Sequence, residues 1–392
     1  MKRPVKNYCA YIDKGLRLNF LSDNQDQLLV SVRPCCNIHS KKIANDHKKY
    51  VPIKNTKDLI KHPTRKHFQK WFGNEENWAV LHPACISCTK LEKARVGSHR
   101  TQINAIEHTT SKEFDFLRLD VTLTNQCNLA CVFCSSYASS LIETLMTKYE
   151  SEDLPEHWKT KVNKQPKSED ISNVVADMLK SYKIKSLKLI GGEPFLAENW
   201  KPIENVLDEI DCSDLELEIT TNGTIMNDEI IRRLSKTKRS TIRISCDGIN
   251  QNYEFLRWPH TWKKMEKNLD FIFAHQSDVL DVQISLLANI FNFEYLPEIE
   301  KYFLDKNWNY GINFDIKPEN SVLNCINLPN SLMHEIQDQL INHTTKRVLK
   351  NLSKKSKRNL QDISRDTKFY LAQRNMKAVN VFGPNTREFL CL

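Results

Sequence analysis

From residue 116 onward, short apolar runs alternate with amphipathic stretches of helical length. FLRLDVTL (116–123), SLKLIG (186–191), LELEITT (215–221), TIRISCDG (241–248), DVQISLLAN (281–289) and GINFDIK (311–317) read as strands, being apolar blocks too short for helices. Between them ISNVVADMLKSY, WKPIENVLDEI, NDEIIRRLSK, WKKMEKNLDFIFAH and LPEIEKYFLDK repeat apolar residues three and four apart, which puts them on one helical face. Strands alternating with helices predict parallel pairing through crossovers. The expected fold is α/β, a partial (β/α)6 TIM-like barrel whose functional residues collect at the C-terminal ends of its strands.

The pattern divides the chain into three parts. Residues 1–108 read as an irregular, cysteine-rich module that includes the His- and Lys-rich stretch IHSKKIANDHKKY, 109–328 as the core barrel, and 329–392 as a basic helical C-terminal segment. A polar stretch, 141–170, interrupts the barrel after its first strand as an insertion or lid.

Composition narrows the class. Of 392 residues, 40% are apolar and 27% charged, the balance of a globular protein. The N-terminal MKRPVKNYCAYIDKG carries basic residues without an apolar signal core, and no apolar run approaches a membrane span, so the expected location is the cytoplasm, with no membrane partner. In that reducing compartment twelve cysteines point to metal ligands or plain thiols rather than disulfides. The net charge of +9 owes much to residues 344–358, with seven Lys or Arg and no acid. Without interleaved aromatics for base stacking, this run reads as a solvated helical face, with nucleic acid as the alternative partner.

The segment LTNQCNLACVFCSS sets Cys127, Cys131 and Cys134 in a C-x3-C-x2-C array directly after the first barrel strand. Three thiolates on one loop hold three irons of a [4Fe–4S] cube and leave the fourth open to a substrate or cofactor. A zinc site completed by a distant ligand, or three unrelated thiols, are the plainer alternatives. One βα unit later comes LIGGEPF (189–195), whose Gly191 and Gly192 allow close backbone approach. TTNGT ends the third strand and ISCDG the fourth.

In this order the motifs resemble the radical S-adenosylmethionine (radical SAM) superfamily. The resemblance implies that Cys127, Cys131 and Cys134 bind the cluster, and that Glu193, with Gly191, Gly192 and Pro194 of GGEP, holds the ammonium of S-adenosylmethionine. It implies that Asn222, Ser245 and Asp247 approach the ribose and methionine, and that Phe133 meets the adenine. Arg257 would pair with the cofactor carboxylate, or be a surface arginine. Asn292 would lie near the adenosine, or cap a turn.

The N-terminal cysteines are similar to those of the twitch module, a shortened relative of the SPASM domain that holds an auxiliary [4Fe–4S] cluster, here placed before the barrel rather than after it. The implied ligands are Cys9, Cys35, Cys85 and Cys88, with Cys36 competing with Cys35 and a four-cysteine zinc site as the alternative. Val30 stands where the module's usual glycine would be. The stretch EKARVGSHR, Glu92 to Arg100, adds to the likeness. Cys212, Cys246 and Cys325 read as core or turn thiols, and the histidines at 39, 47, 62, 67 and 82 as surface or capping residues.

What the resemblance implies is reductive cleavage of S-adenosylmethionine to a 5′-deoxyadenosyl radical that abstracts hydrogen from a substrate, with electrons from a donor such as flavodoxin or ferredoxin. The expected substrate is a peptide, a protein or a small metabolite, undergoing oxidation, cross-linking or maturation. The alternatives are an RNA- or nucleotide-modifying enzyme, and a non-catalytic iron–sulfur or zinc scaffold.

Overall fold

Period-two burial marks several strands of the computed structural model. Along Leu280–Leu287, residues 280, 282, 284 and 286 are buried and their neighbours half-buried, and Glu216–Thr221 alternates in the same way. The structure describes residues 9–35, 38, 50–74, 77, 82–93, 97–110, 114–159, 164–313, 323–341 and 360–392. The strands are β1 (Gly15–Ser22), β2 (Leu28–Arg33), β3 (Val51–Pro52), β4 (Arg118–Thr122), β5 (Ser186–Ile190), β6 (Glu216–Thr221), β7 (Arg239–Ser245), β8 (Leu280–Leu287) and β9 (Tyr310–Asn313). The α/β reading holds: β4 to β9 are the six strands expected from the sequence, and the helices expected between them occur at Ser168–Ser181, Ala197–Glu209, Asp228–Leu234, Trp262–Ala274 and Leu296–Asp305.

The chain forms two units. The first comprises Met1–Thr124, Asn163–Ile219 and Arg232–Ser240, with strand order β3-β2-β1-β4-β5-β6. Here β4 pairs parallel with β5, and β5 with β6. The sequence predicts an irregular module here, but the described part of the first hundred residues carries strands and helices. β1 and β2 form an antiparallel hairpin whose turn is closed by Asp23 accepting from the Gln25 and Gln27 amides at 2.9 and 2.8 Å. β1 also pairs parallel with β4, Leu16 opposite Leu119. Fully buried Leu16, Leu18, Val30 and Val32 drive this extension, each contributing about 1.5–3 kcal/mol through burial.

The second unit comprises Asn125–Val162, Thr220–Ile231 and Thr241–Leu392 and orders its strands β7-β8-β9, with β8 and β9 parallel. The stretch after the cysteine loop begins with the helix Ser140–Met146, capped by Ser139 accepting from Ile142 N at 3.2 Å. It ends around Trp158, which is fully buried. Helices at Asn330–Gln339 and Leu360–Gln373 match the expected helical C-terminal segment. No described helix is long and apolar enough to cross a membrane. Cys36, His39, His47, residues 314–317 of the sixth expected strand and the basic run 344–358 lie outside the described residues.

Candidate functional site

In the second unit, the loop bearing Cys127, Cys131 and Cys134 is held through its backbone from two sides. Its amides bond to the C-terminal end of the helix Asn250–Leu256 and the turn beyond it: Val132 N to Leu256 O at 3.2 Å and Ala130 N to Trp258 O at 2.8 Å. Its carbonyls are held by side chains, Ala130 O accepting from Arg374 Nη2 at 2.8 Å, and Val132 O from Tyr370 Oη at 3.0 Å and His157 Nε2 at 2.8 Å. A turn bond from Cys134 N to Cys131 O (3.0 Å) closes the C-x2-C step, and Cys127 N donates to Ser140 Oγ at 3.1 Å.

The three thiols act on one another. Burial pushes Cys134 up to about 12, and the neighbouring Cys131 and Cys127 push the same way. Burial also raises Cys131, against which Arg257 pulls down. Mutually repelling, desolvated thiolates need cationic partners, and an iron cube supplies them; an all-sulfur donor set on one rigid loop fits such a cluster.

Arg257 is not a surface residue. It is 7% exposed, donates from Nε to Asp247 Oδ2 at 2.6 Å, approaches the Cys131 sulfur through Nη1 at 3.6 Å, and lies 5.0 Å over the Phe133 ring. Asp247 also accepts from Leu287 N at 2.7 Å. Asn222 reaches the loop as well, donating to Asn128 Oδ1 at 2.9 Å and lying 3.9 Å from the Cys127 sulfur, while the adjacent Gly223 takes φ +72°. Ser245 stands at the C-terminal end of β7, half-buried. The amide of Asn292 meets backbone: it donates to Asp247 O (2.7 Å) and Leu287 O (2.9 Å) and accepts from Asn289 N (2.8 Å), bracing the turn after β8 against the end of β7.

The GGEP motif ends β5 in the first unit. Gly191 has φ +137°, and a Cβ there would stand 2.9 Å from Leu123 N, so the position requires glycine. Gly192 N donates to Thr124 O at 2.9 Å. Glu193 is fully buried, its carboxylate accepting from Phe195 N at 3.0 Å. Pro194 carries the chain toward Asn199, whose amide donates to Glu193 O at 2.9 Å and accepts from Thr124 Oγ1 at 2.7 Å.

Four cysteines of the first unit line one cavity. Cys9, Cys35, Cys85 and Cys88 surround it together with Tyr11, Ile12, Ile38, His99 and Arg100. Burial pushes Cys9 and Cys85 up to about 12, and thiols of the group act on each other. Arg100 is held by Glu92, whose carboxylate accepts from Arg100 Nε at 3.0 Å, from Arg100 Nη2, and from Ser98 Oγ at 2.5 Å. The EKARVGSHR stretch thus aims one cation at the thiols. Among the described residues no three His, Cys, Asp or Glu side chains are gathered tightly enough for a single metal ion. A four-iron cube makes no such demand, since each iron takes its own thiolate.

Cys212, Cys246 and Cys325 are buried and Cys391 exposed. His62 and His82 cap helices, accepting from Thr64 N at 3.2 Å and Ala84 N at 3.0 Å. Sequence reasoning missed Arg374, Tyr370 and His157. The Tyr370 and Arg374 pair, four residues apart at a helix end, is a weak local signal, and what they hold lies more than two hundred residues away.

Residues 121–302 match the family described as Radical SAM superfamily. The probable GTP 3′,8-cyclase of Methanocaldococcus jannaschii is 24% identical over 196 residues, 48% of this chain and 55% of that protein. The sporulation killing factor maturation protein SkfB of Bacillus subtilis is 27% identical over 152 residues, 38% of this chain and 31% of that protein. The chain thus spans less than two thirds of either relative. Among solved structures, native anSMEcpe with bound AdoMet superposes with TM-score 0.43 at 15% identity, covering 60% of this chain and 63% of that one. Streptococcus suis SuiB bound to precursor peptide SuiA gives 0.39 at 15%, covering 85% of this chain and 71% of that one.

Proposed function

We propose, from a chain that carries a radical SAM domain over residues 121–302, that Cys127, Cys131 and Cys134 hold a [4Fe–4S] cluster whose fourth iron binds S-adenosylmethionine. The observation that carries the reading is the loop itself: three mutually repelling thiols on a backbone fixed at Ala130 and Val132 from both sides, with the Arg257 cation against Cys131. When bound, this group supplies one-electron reductive cleavage of S-adenosylmethionine and hydrogen abstraction from a substrate.

The chain's own residues bind, orient and exclude water. Arg257 offsets part of the burial that disfavours a Cys131 thiolate, and Asp247 keeps Arg257 in place. Gly191 and Gly192 let backbone approach the cofactor, and Glu193 with Pro194 receives its ammonium. Asn222, Ser245 and Phe133 line its nucleoside and methionine, and Asn292 fixes the turn beside Asp247. No side chain need act as nucleophile or general base. The electron comes from a donor of the flavodoxin or ferredoxin class.

The first 108 residues form an auxiliary module in this reading, with a second [4Fe–4S] cluster on Cys9, Cys35, Cys85 and Cys88. The shared cavity and the Arg100 cation facing it support this assignment over four unrelated thiols. The substrate is a peptide or protein undergoing maturation, a class supported by the name of the SkfB relative. The cyclase relative favours one second reading, a nucleotide substrate.

Anaerobic reconstitution followed by electron paramagnetic resonance tests the open iron. Adding S-adenosylmethionine should shift the signal of the reduced cluster in the wild type; an unchanged signal from a loaded cluster contradicts the assignment.

A further inference from the structure

Two arginines meet the cysteine loop, Arg257 at the Cys131 sulfur and Arg374 at the Ala130 carbonyl, and they differ in their partners. Arg257 meets Asp247, so its charge is matched within the protein. Arg374 is 7% exposed, and among the described residues it contacts no carboxylate. Its Nη2 donates to Ala130 O at 2.8 Å and its Nη1 to Phe255 O, while its Nε has no partner. The guanidinium carbon lies 4.7 Å from the centre of the Tyr370 ring and 5.1 Å from that of Phe255. Burial pulls Arg374 down to about 10, while Tyr370 and Cys131 act in the other direction; at neutral pH it remains a cation.

A buried cation without a counter-ion destabilises a fold by several kcal/mol, so an anion is expected within its reach. The bond from Nη2 to Ala130 O sets the guanidinium against the backbone next to Cys131, on the loop that would carry the negative charge of a thiolate-bound cluster. Resting on the cluster assignment above, we propose that Arg374 is a positioning residue that provides the fixed counter-charge for the cluster at Cys127, Cys131 and Cys134, so that the C-terminal helix Leu360–Gln373 and its following turn govern how readily that cluster is reduced.

Reduction adds one electron to the cluster and no proton, since Arg374 is already protonated. The added negative charge is stabilised by a cation held among aromatic rings, where water does not screen it. Tyr370 and His157 perform the neutral part of the work, holding the carbonyl of Val132 by hydrogen bonds. Arg374 holds the loop as well, through Ala130 O, so its charge is separated from its hydrogen bonding by Arg374→Lys, which keeps the charge, and by Tyr370→Phe, which removes a loop bond without changing charge.

The test is a redox titration of the S-adenosylmethionine-sensitive cluster signal, with dithionite as the electron source, in wild type, Arg374→Gln, Arg374→Lys and Tyr370→Phe. At the wild-type midpoint, Arg374→Gln should lower the ratio of reduced to oxidised cluster about tenfold, the effect of one unit charge at close range in a partly shielded interior. Arg374→Lys should stay within about twofold of wild type, because the charge is kept, and Tyr370→Phe should not shift the ratio, because none is lost. Should Arg374→Gln hold no iron, retention by Arg374→Lys is the same charge requirement seen in assembly. A wild-type midpoint in Arg374→Gln, an equal shift in Tyr370→Phe, or loss of iron in both arginine variants overturns the role of Arg374. A wild type with no S-adenosylmethionine-sensitive signal overturns the cluster assignment, and this role with it.

Discussion

The Arg257 guanidinium lies 3.6 Å from the Cys131 sulfur, a buried cation against a thiol that must ionise to bind iron. The same guanidinium is tied to Asp247, so a carboxylate from the end of β7 sets the electrostatics of the cysteine loop. Asp247→Asn should leave Arg257 buried without its partner and cost about 3–5 kcal/mol in urea denaturation of the apoprotein. Asp247→Asn with unchanged stability would mean that the pair is solvated.

Gly191→Ala tests the GGEP turn. The backbone at φ +137° and the approach to Leu123 leave no space for a methyl group, so about 1–3 kcal/mol of strain is expected, with weakened S-adenosylmethionine binding. Isothermal titration against the reconstituted protein measures the second effect, and denaturation the first.

The auxiliary module is testable by counting iron. Wild-type protein reconstituted anaerobically should hold about eight irons, and Cys85→Ser or Cys88→Ser about four with the S-adenosylmethionine-sensitive signal intact, since each cube contributes four. About four irons and one zinc in the wild type would make the module a zinc site.

An ion cluster in the first unit gives a pH dependence. Burial alone would raise Glu218, but Lys188 and Arg118 overcome it and hold the carboxyl at about 2; Arg118 Nη2 lies 2.8 Å from it. The folded value lies below the ordinary one near 4.3, so the contribution is full above about pH 5 and disappears as pH falls toward 2. The difference in stability between wild type and Glu218→Gln should be on the order of 3 kcal/mol at neutral pH and shrink toward zero in acid, as followed by urea denaturation across pH.

Much of the site is legible in the sequence because chemistry and periodicity are local. C-x3-C-x2-C and GGEP are contiguous, and β4 to β9 announce themselves through alternation such as Leu280, Val282, Ile284 and Leu286. The N-terminal hairpin had the same signal in Leu16, Leu18 and Phe20, but its pairing with β4 joins residues about a hundred positions apart, which no local pattern encodes. Four cysteines spread from residue 9 to residue 88 line one cavity; it was the likeness of their spacing to the twitch module that grouped them, with Cys36 left competing with Cys35. The bonds from Tyr370 and Arg374 to the cysteine loop left no such spacing, because a backbone carbonyl carries no sequence signature.

The most direct measurement of the central assignment is 5′-deoxyadenosine formed from S-adenosylmethionine under dithionite, in reconstituted wild type beside Cys127→Ala. The expected result is steady 5′-deoxyadenosine production by the wild type and none above background by Cys127→Ala. A wild type that carries its full iron and forms no 5′-deoxyadenosine, or a Cys127→Ala variant that forms it at the wild-type rate, would contradict the assignment of Cys127, Cys131 and Cys134.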